Sequence, residues 1–385
     1  MADYDVVVVG LGATGSAALH RLARRGQRVL GIERFVPGHD RGSSHGETRI
    51  IRLGYFEHPS YVPLLREAYS AWRELETAAG RRLLTVTGIL EFGAPGSELM
   101  RGTLASSRLH GLPHEVMDAA SVMRRFPPFR IPPDVIGVFQ PDGGFLLAEP
   151  AVATQIAQAQ AAGAQVRSKT RVLAVEPRGA GVRVTTSEGI IEAGAAVVAA
   201  GPWIGRLLPD FALPLRVTRQ AVAWFAPAEE AAFAPDAFPV FLAQTRHGVH
   251  YGFPVHGSTG LKVAKHHHAD ETVDPDTVDR GVSARDEALI RGFLAEHLPG
   301  GNGPRRVAAT CLYTMTPDGD FVIDRLPGAP QVIVASPCSG HGFKFAPVVG
   351  DIVADLLIDG GTQRDIARFA LSRFRRNENS PPALP

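Results

Sequence analysis

The sequence is poor in cysteine and has no excess of charge of either sign. Two cysteines, Cys311 and Cys338, are too few for the disulfide framework of a small secreted domain. The 40 basic and 39 acidic residues give a net charge of +1, so we expect no nucleic-acid partner and no membrane partner. No apolar run reaches the length of about eighteen residues that a spanning helix needs, and the first residues carry no secretory leader pattern. These absences predict a cytoplasmic protein.

A glycine-rich turn near the N-terminus is the strongest local pattern in the chain. Four consecutive valines at 6–9 predict a strand buried on both faces, and Gly10, Gly12 and Gly15 follow it as G-x-G-x-x-G. Such glycines permit a tight turn, close approach of a pyrophosphate, and close packing of helix on strand. Glu33 ends the next predicted strand, where a carboxylate can accept hydrogen bonds from a ribose. The unit therefore predicts dinucleotide binding, with an empty structural βαβ unit as the alternative, and by itself it does not separate FAD from NAD.

The length of 385 residues predicts two domains, because a single core seldom grows so large. Apolar periodicity predicts helices over residues 63–79, 104–115, 149–162, 288–297 and 348–359. It predicts strands over residues 85–92, 165–176, 182–186, 195–200, 221–225, 249–253, 260–265, 306–313, 321–324 and 332–335. Four prolines within 127–133 argue against regular structure there, and the tail after Arg376 is expected to fray.

The polar segment 38–52 has no periodicity and ends in two arginines, Arg49 and Arg52. On a helical turn this spacing would place both guanidinium groups on one face. The alternative is a solvated loop followed by a charged helix start. A long polar loop after a dinucleotide-binding strand favours a functional role.

Five stretches together resemble the sarcosine oxidase and N-methyltryptophan oxidase family, within the wider glycine oxidase and D-amino-acid oxidase superfamily. They are Gly10–Gly15 with Glu33, GSSHGETRIIR at 42–52, YGFP at 251–254, residues 262–266, and Cys311 with GHGFK at 340–344. The resemblance implies an α/β (α+β) protein. Its Rossmann-like FAD-binding domain would comprise residues 1–84, 149–214 and 319–385. Residues 85–148 and 215–318 would form a substrate domain with a mixed, largely antiparallel sheet.

The resemblance also implies an activity. The chain would be a monomeric FAD-dependent oxidase of a small N-methyl amino acid, sarcosine foremost, with oxygen as electron acceptor. Its products would be the demethylated amino acid, formaldehyde and hydrogen peroxide. The alternatives are a bulkier secondary amino acid (N-methyltryptophan, or a cyclic imino acid such as pipecolate or proline), a flavin dehydrogenase with another acceptor, an NAD-linked dehydrogenase, and a non-catalytic flavin-binding module.

Cys311 matches the family's covalent flavin attachment site, a thioether to the 8-methyl group of the ring. Without the resemblance, Cys311 would be interpreted as a buried structural thiol. The other residues that the resemblance assigns to FAD are Gly10, Gly12, Ala13, Thr14, Gly15, Glu33, Arg34, Ser43, Ser44, His45, Arg49, Val172, Gly201, Gly340, His341, Gly342, Phe343 and Lys344.

The resemblance assigns the chemistry to six side chains. Arg49 and Lys262 match residues beside flavin N5, where positive charge stabilises the superoxide that forms from oxygen. Tyr251 and His266 match the side chains that line the amine side of the substrate. Arg52 and Lys344 match the cations that hold its carboxylate, although Lys344 alone would also fit a solvated lysine at a helix start.

Three adjacent histidines follow Lys265. On a strand their side chains alternate between faces and cannot all ligate one ion, so no metal site is expected. His267 and His268 are predicted to face solvent. Cys338 stands where the family has an apolar residue, and it either fills space or alters the surroundings of the flavin pyrimidine.

Overall fold

The computed structural model describes residues 3–211 and 213–374, so the predicted frayed tail lies outside the described residues. The chain forms two compact units. Unit 1 comprises Met1–His39, Val152–Arg216 and Thr314–Pro385, and unit 2 comprises Asp40–Ala151 and Val217–Tyr313. Among the described residues, no helix combines the length and the apolar character needed to cross a membrane.

The strands are β1 (Tyr4–Val9), β2 (Val29–Ile32), β3 (Thr48–Ile51), β4 (Leu84–Val86), β5 (Ile89–Gly93), β6 (Glu115–Asp118), β7 (Ile136–Gln140), β8 (Gly144–Leu147), β9 (Gln165–Arg167), β10 (Val172–Arg178), β11 (Gly181–Thr186), β12 (Gly189–Val198), β13 (Arg216–Phe225), β14 (Val240–Thr245), β15 (Gly248–Phe253), β16 (Leu261–Lys265), β17 (Arg305–Met315), β18 (Val322–Leu326) and β19 (Ala329–Ser336). The helices are α1 (Ala13–Arg24), α2 (Val62–Ala79), α3 (Glu98–Leu109), α4 (Ala119–Arg125), α5 (Ala148–Ala161), α6 (Ile204–Leu207), α7 (Ala284–His297) and α8 (Ala346–Ile358).

Unit 1 is built on a mixed sheet with the order β10-β11-β12-β1-β2-β9, in which β19 also pairs with β12 and β18. The valines of β1 are buried because parallel neighbours, β2 and β12, flank the strand and helices cover it. Helix α1 packs closely on α8, where a Cβ on Gly350 would lie 2.8 Å from the backbone of Ala17. This is the dinucleotide-binding architecture that the glycine turn predicted.

Unit 2 contains a long mixed sheet with the order β17-β13-β16-β15-β14-β5-β7-β6. Most of its pairs are antiparallel, and β14 with β5 is a parallel pair. Phenylalanines fill its core, with the rings of Phe241 and Phe293 stacked at 5.7 Å and Phe92 packed edge-on against Phe129 at 5.5 Å. A second sheet has the order β3-β8-β4. The predicted fold class, a Rossmann-like unit with a mixed and largely antiparallel second sheet, is confirmed.

Several predicted boundaries were wrong for local reasons. The single strand predicted over 85–92 is two strands in different sheets, β4 and β5, because Gly88 adopts φ +74° between them. The helix predicted over 104–115 is α3, which begins earlier because the Ser97 side chain caps it by accepting from the N–H of Met100. Strands β3, β6, β7, β8 and β14 and helices α4 and α6 were not predicted. Residues 127–133 carry no helix or strand in the structure.

The compact units and the predicted domains divide the chain differently at residues 40–84. The prediction placed this segment with the FAD-binding domain. In the structure it belongs to unit 2, because β3 and β4 both pair with β8 there. The functional division of the chain into domains remains a prediction.

Candidate active site

The turn between β1 and α1 in unit 1 brings backbone atoms so close together that only glycine fits at two of its positions. Gly10 has φ +88°, in the left-handed region, and a Cβ on Gly15 would lie 1.7 Å from the carbonyl oxygen of Gly10. Helix α1 begins at Ala13, with Gly12 as its N-cap, no side-chain cap and no acidic residue in its first turn, which contains Thr14. A helix start of this kind suits a bound anion such as a pyrophosphate. The residues therefore fit the phosphates of a dinucleotide.

Glu33 ties this turn to the end of β2. Its carboxylate accepts from the backbone N–H of Leu11 at 2.8 Å and from that of Phe35 at 2.9 Å, and His39 Nε2 lies 3.3 Å away. Burial would raise the pKa of Glu33, but the hydrogen bonds from His39, Phe35 and Leu11 outweigh it and lower the pKa. Glu33 therefore stays ionised and orders the glycine turn. Sequence reasoning expected only a ribose ligand.

Three further predicted FAD residues of unit 1 lie near strand ends. The guanidinium of Arg34 lies over the rings of Phe35 at 5.0 Å and Trp203 at 5.5 Å. Gly201, with φ +51°, starts the short helix Gly201–Trp203 after β12. Val172 begins β10 and is buried in the core of the unit.

The GHGFK stretch of unit 1 is a tightly folded turn. A Cβ on Gly342 would lie 1.3 Å from the carbonyl oxygen of Pro337. His341 stacks on Phe321 with ring centroids 4.8 Å apart. Lys344 is only 5% exposed, and its Nζ donates to the carbonyl oxygen of His341 at 2.6 Å. A solvated lysine is thus excluded, and the ammonium is held by the turn itself.

The backbone around this turn is not the start of an α-helix, which the alternative interpretation of Lys344 had required. Gly340 has φ +81°, a 3-10 turn spans Phe343–Phe345, and α8 begins only at Ala346. Cys338 is half-buried, and its carbonyl oxygen accepts from the N–H of His341 at 3.2 Å. The turn therefore presents small residues and backbone groups rather than a helix N-terminus.

In unit 2 the guanidinium of Arg49 is held by backbone carbonyl groups. It donates to the carbonyl oxygens of Thr48 at 2.8 Å, Ser43 at 2.8 Å and His45 at 2.5 Å. Its Nη2 also lies 3.9 Å from the Sγ of Cys311. The side chain is thus fixed as a positive charge beside the thiol.

Lys262, on β16, is buried next to Arg49. Its Nζ donates to the carbonyl oxygens of Gly46 at 2.5 Å and Thr48 at 2.8 Å, and it lies 4.6 Å from the ring centroid of Phe253. Burial, followed by the charge of Arg49, lowers the pKa of Lys262 well below its usual value. Two basic side chains, each held by backbone carbonyl groups, therefore lie next to each other.

Cys311, on β17, completes this cluster. Burial alone would raise the pKa of its thiol, but a hydrogen bond with His45 and the charges of His45, Arg49 and Lys262 together lower the pKa to about 7. The Nε2 of His45 is buried and has no hydrogen-bond partner among the described residues, so this nitrogen can still bond to a polar group of a ligand. These side chains suit a flavin. The thiolate can bond to the flavin ring, and the positively charged groups can stabilise the ring when it is anionic.

The two predicted serines line the same loop. Ser43 donates from its hydroxyl to the carbonyl oxygen of Leu312 at 2.5 Å, which joins the loop to β17. Ser44 is half-buried beside it. The loop is therefore fastened next to Cys311.

Tyr313 links the two residues predicted to line the amine side. Its hydroxyl lies 3.3 Å from His266 Nδ1 and is hydrogen-bonded to Tyr251. Burial raises the pKa of Tyr251, and raises that of Tyr313 well above its usual value, so both phenols stay neutral. Tyr251 and His266 thus belong to one hydrogen-bonded group.

Arg52 lies in a different set of contacts. It is 2% exposed, and its Nη2 donates to both carboxylate oxygens of Glu57, at 2.9 and 2.7 Å. Its Nε lies 3.6 Å from the carboxylate of Glu91, and its guanidinium lies 4.4 Å from the ring centroid of Tyr55. The predicted carboxylate-binding cation is therefore already paired with an anion of the chain.

Two predictions about local conformation were wrong. Residues 48–51 form strand β3 rather than a helical turn, because β-branched residues favour extended backbone, so Arg49 and Arg52 do not share a helix face. The histidines follow β16 in a turn, with φ +58° at His267 and +27° at His268. His268 is 3% exposed and lies 2.9 Å from Asp286, so it does not face solvent.

Sequence reasoning missed the acidic partners of the site. Glu57 lies close to Arg52 along the chain, separated from it by a short segment that includes Tyr55 and Phe56. An acidic residue so near to an arginine was a signal that the sequence already contained. Glu149 accepts from the backbone N–H groups of Gly46 at 2.6 Å and Glu47 at 3.1 Å. No local pattern distinguishes Glu149, because its partners are distant in the chain.

Comparisons with known proteins agree with this description. The profile of the family described as FAD dependent oxidoreductase (DAO) matches residues 5–356. A monomeric sarcosine oxidase from Streptomyces avermitilis is 41% identical over 371 residues, covering 95% of this chain and 96% of that protein. An N-methyl-L-tryptophan oxidase from Yersinia pestis is 36% identical over 376 residues, covering 97% and 100%. The solved open form of NikD, an unusual amino acid oxidase essential for nikkomycin biosynthesis, aligns with a TM-score of 0.84 and 30% identity over 95% of this chain and 97% of that one.

Proposed function

The chain belongs to the FAD dependent oxidoreductase family, and from that premise we propose that it is an oxidase of a small N-methyl amino acid, with sarcosine as substrate. Sarcosine would lose a hydride equivalent from its N-methyl carbon. The resulting imine adds water and releases formaldehyde and glycine. FAD, when bound, would supply the two-electron chemistry, with oxygen as the final acceptor and hydrogen peroxide as the product.

One observation carries this proposal. The buried cluster of unit 2 places the thiol of Cys311 against His45 and Arg49, with Lys262 beside them. Hydride transfer from an amine to a nicotinamide involves no bond to a protein thiol. An oxidase with an attached flavin uses all three, because the thiol holds the ring and the cations stabilise superoxide.

The cofactor assignment follows from the same residues. We propose that the FAD-binding residues are the glycine turn of residues 10–15, Glu33, Arg34, Ser43, Ser44, His45, Arg49, Val172, Gly201 and residues 340–344. We also propose a thioether between Cys311 Sγ and the 8-methyl carbon of the ring. This bond would replace one C–H bond of the methyl group, with the proton lost to solvent and the two electrons passed through the flavin to oxygen. The lowered pKa of Cys311 supports the thioether, because the thiolate is the reactive form.

The remaining side chains bind and orient the substrate. Tyr251 and His266, joined through Tyr313, line the amine. A neutral amine is required for oxidation, and a cationic wall near it disfavours the ammonium form. Arg52 and Lys344 bind the substrate carboxylate, and the carboxylate must compete with Glu57 for Arg52.

We further propose that the protein acts as a cytoplasmic monomer with no nucleic-acid or membrane partner. The even balance of charge supports this, with a net charge of +1. Its partners are then the amino-acid substrate and oxygen.

A second candidate substrate is a bulkier secondary amino acid. The relative named N-methyl-L-tryptophan oxidase favours it, since that protein matches the chain over nearly its whole length. Both candidate substrates undergo the same reaction. The side chains that surround the amine therefore determine which of the two the protein oxidises.

A peroxide-coupled screen tests the proposal. The purified protein is supplied with sarcosine, N-methyl-L-tryptophan, pipecolate, proline and the matching primary amino acid, glycine. Sarcosine should give the highest kcat/KM, with formaldehyde formed in equal amount to peroxide. A preference for N-methyl-L-tryptophan or pipecolate would transfer the assignment to the bulkier substrates. Turnover only with an added dye, and none with oxygen, would make the protein a dehydrogenase.

A further inference from the structure

A cluster of two histidines and one glutamate lies in unit 2, apart from the residues assigned to catalysis. His247 occupies the two-residue turn between β14 and β15, while Glu296 and His297 end helix α7. One ligand atom from each side chain lies within 4.8 Å of the others. Gly292 provides the space for this approach, because a Cβ there would lie 3.3 Å from Nδ1 of His247. The hairpin turn and the helix end therefore meet at three ligand-type atoms.

His297 has an unused lone pair at this cluster. Its side chain is 2% exposed, and its Nδ1 lies 3.0 Å from the carbonyl oxygen of Arg130. A carbonyl oxygen can only accept, so Nδ1 carries the proton and Nε2 carries the lone pair. This Nε2 is buried and has no hydrogen-bond partner. Metal-binding histidines show the same arrangement, in which a carbonyl fixes the tautomer and the other nitrogen faces the ion.

The atom opposite this lone pair is also an acceptor. Oε1 of Glu296 lies 3.5 Å from Nε2 of His297. With its proton on Nδ1, the imidazole of His297 turns a nitrogen lone pair towards this carboxylate oxygen. Two ligand atoms on a tetrahedral zinc ion, at about 2.0–2.1 Å each, are about 3.4 Å apart. A cation between the two atoms would replace their repulsion by two coordinate bonds.

The third ligand atom is Nε2 of His247, which lies 2.8 Å from Oε2 of Glu296. Both side chains are partly exposed, at 25% and 30%, so an ion can enter and keep a water molecule in a fourth position. Arg246 also contacts Glu296, at 2.5 Å, but its side chain is 75% exposed, so this ion pair is screened by solvent and weak. The C-terminal end of α7 also carries the negative end of the helix dipole, which attracts a cation.

We propose that His247, Glu296 and His297 bind a divalent transition-metal ion, zinc above others, which fastens the end of α7 to the β14–β15 turn. Two imidazoles and one carboxylate are a borderline ligand set that suits zinc, nickel and copper better than magnesium or calcium. The role is structural, since the ligands are distinct from those assigned to the flavin and the substrate. The site is independent of the proposed oxidase activity.

The test is calorimetric titration of the purified full-length holoenzyme with zinc chloride after dialysis against a chelator. Thermal unfolding is followed with and without zinc. The variants are His247→Gln and Glu296→Gln, which change partly exposed side chains, and the matched control is His114→Gln, a half-buried histidine outside the cluster. His297→Gln is left out because its buried side chain also contributes to the core.

The wild type and His114→Gln should bind one zinc ion per chain and unfold at a higher temperature when zinc is present. His247→Gln and Glu296→Gln should each weaken binding at least about tenfold, and zinc should no longer raise their unfolding temperature. No binding to the wild type would overturn the site. Unchanged binding in both variants would place the ion elsewhere and overturn it equally.

Discussion

Nη2 of Arg52 donates to both carboxylate oxygens of Glu57, at 2.9 and 2.7 Å, in a buried ion pair. A substrate carboxylate that binds Arg52 therefore competes with Glu57. We expect Glu57→Gln to lower KM for sarcosine about threefold to tenfold, the effect of about 1 kcal/mol, because the amide is a weaker competitor than the carboxylate. Steady-state kinetics of the variant checks this, with Glu74→Gln on the exposed face of α2 as control. An unchanged or higher KM would show that Glu57 does not oppose substrate binding.

Arg52→Ala and Lys344→Ala should mainly weaken substrate binding. Each removes a buried cation that we assign to the carboxylate, a loss on the order of 2–5 kcal/mol. The measurement is KM and kcat with sarcosine and with a secondary amine that lacks a carboxylate. Only the carboxylate substrate should be affected. Equal losses on both substrates would mean that the two cations serve the fold rather than recognition.

Cys311→Ser should release the flavin from covalent attachment. Serine preserves the size of the side chain but lacks the thiolate, whose pKa of about 7 makes it available in the wild type. After acid precipitation, the wild type and the control Cys338→Ser should keep yellow colour in the pellet, and Cys311→Ser should lose it to the supernatant. Colour lost from the wild type as well would contradict covalent attachment, although not FAD binding.

Lys262→Met should slow the reaction of the reduced enzyme with oxygen. Methionine preserves the apolar stem but removes the ammonium that Gly46 and Thr48 hold. A preorganised charge of this kind is worth about 100–1,000-fold in rate, while anaerobic reduction by substrate should fall only modestly. Arg49 retains part of the field, so the loss should be incomplete.

Stopped-flow mixing separates the two half-reactions of Lys262→Met. The control is Lys265→Met on the same strand, whose side chain is partly exposed. Normal reoxidation combined with impaired reduction would move Lys262 to the substrate side.

Glu91 should make stability depend on pH. Burial, opposed by the charge of Arg52 and a hydrogen bond from Thr103, raises its pKa from 4.5 to about 7. Between pH 4.5 and 7 the folded protein therefore retains a proton that the unfolded chain has released, and the free energy of unfolding falls as the pH rises. Glu91→Gln mimics the protonated carboxyl group. In this variant the free energy of unfolding should therefore fall by about 3 kcal/mol less over this pH range.

Urea unfolding at several pH values measures the effect of Glu91. The wild type and the control Glu74→Gln should show the same decline, and Glu91→Gln a shallower one. Equal slopes in all three proteins would mean that Glu91 is ionised throughout this range.

The nucleotide-binding part of the fold was predictable because its signals are local. Valines before Gly10, the spacing to Gly15 and an acid at Glu33 each act within one strand–turn–helix unit. The roles proposed for Cys311 and Lys262 came from the resemblance, since neither residue has a pattern of its own.

Partners that depend on tertiary packing could not be predicted. Glu91 reaches Arg52 only because β5 lies in the long sheet of unit 2, and no periodicity records that approach. His268 was misassigned because the turn at His267 breaks the alternation that a strand would impose. The cluster of His247 with Glu296 and His297 joins a hairpin turn to a distant helix end, which composition alone does not reveal.

The most direct test of the central claim is anaerobic mixing of the purified protein with sarcosine, followed by admission of oxygen. We expect sarcosine to bleach the visible flavin absorbance and oxygen to restore it. Each cycle should yield one formaldehyde, one glycine and one hydrogen peroxide. A flavin that stays oxidised with sarcosine, with N-methyl-L-tryptophan and with pipecolate would contradict the assignment of this chain as an oxidase of secondary amino acids.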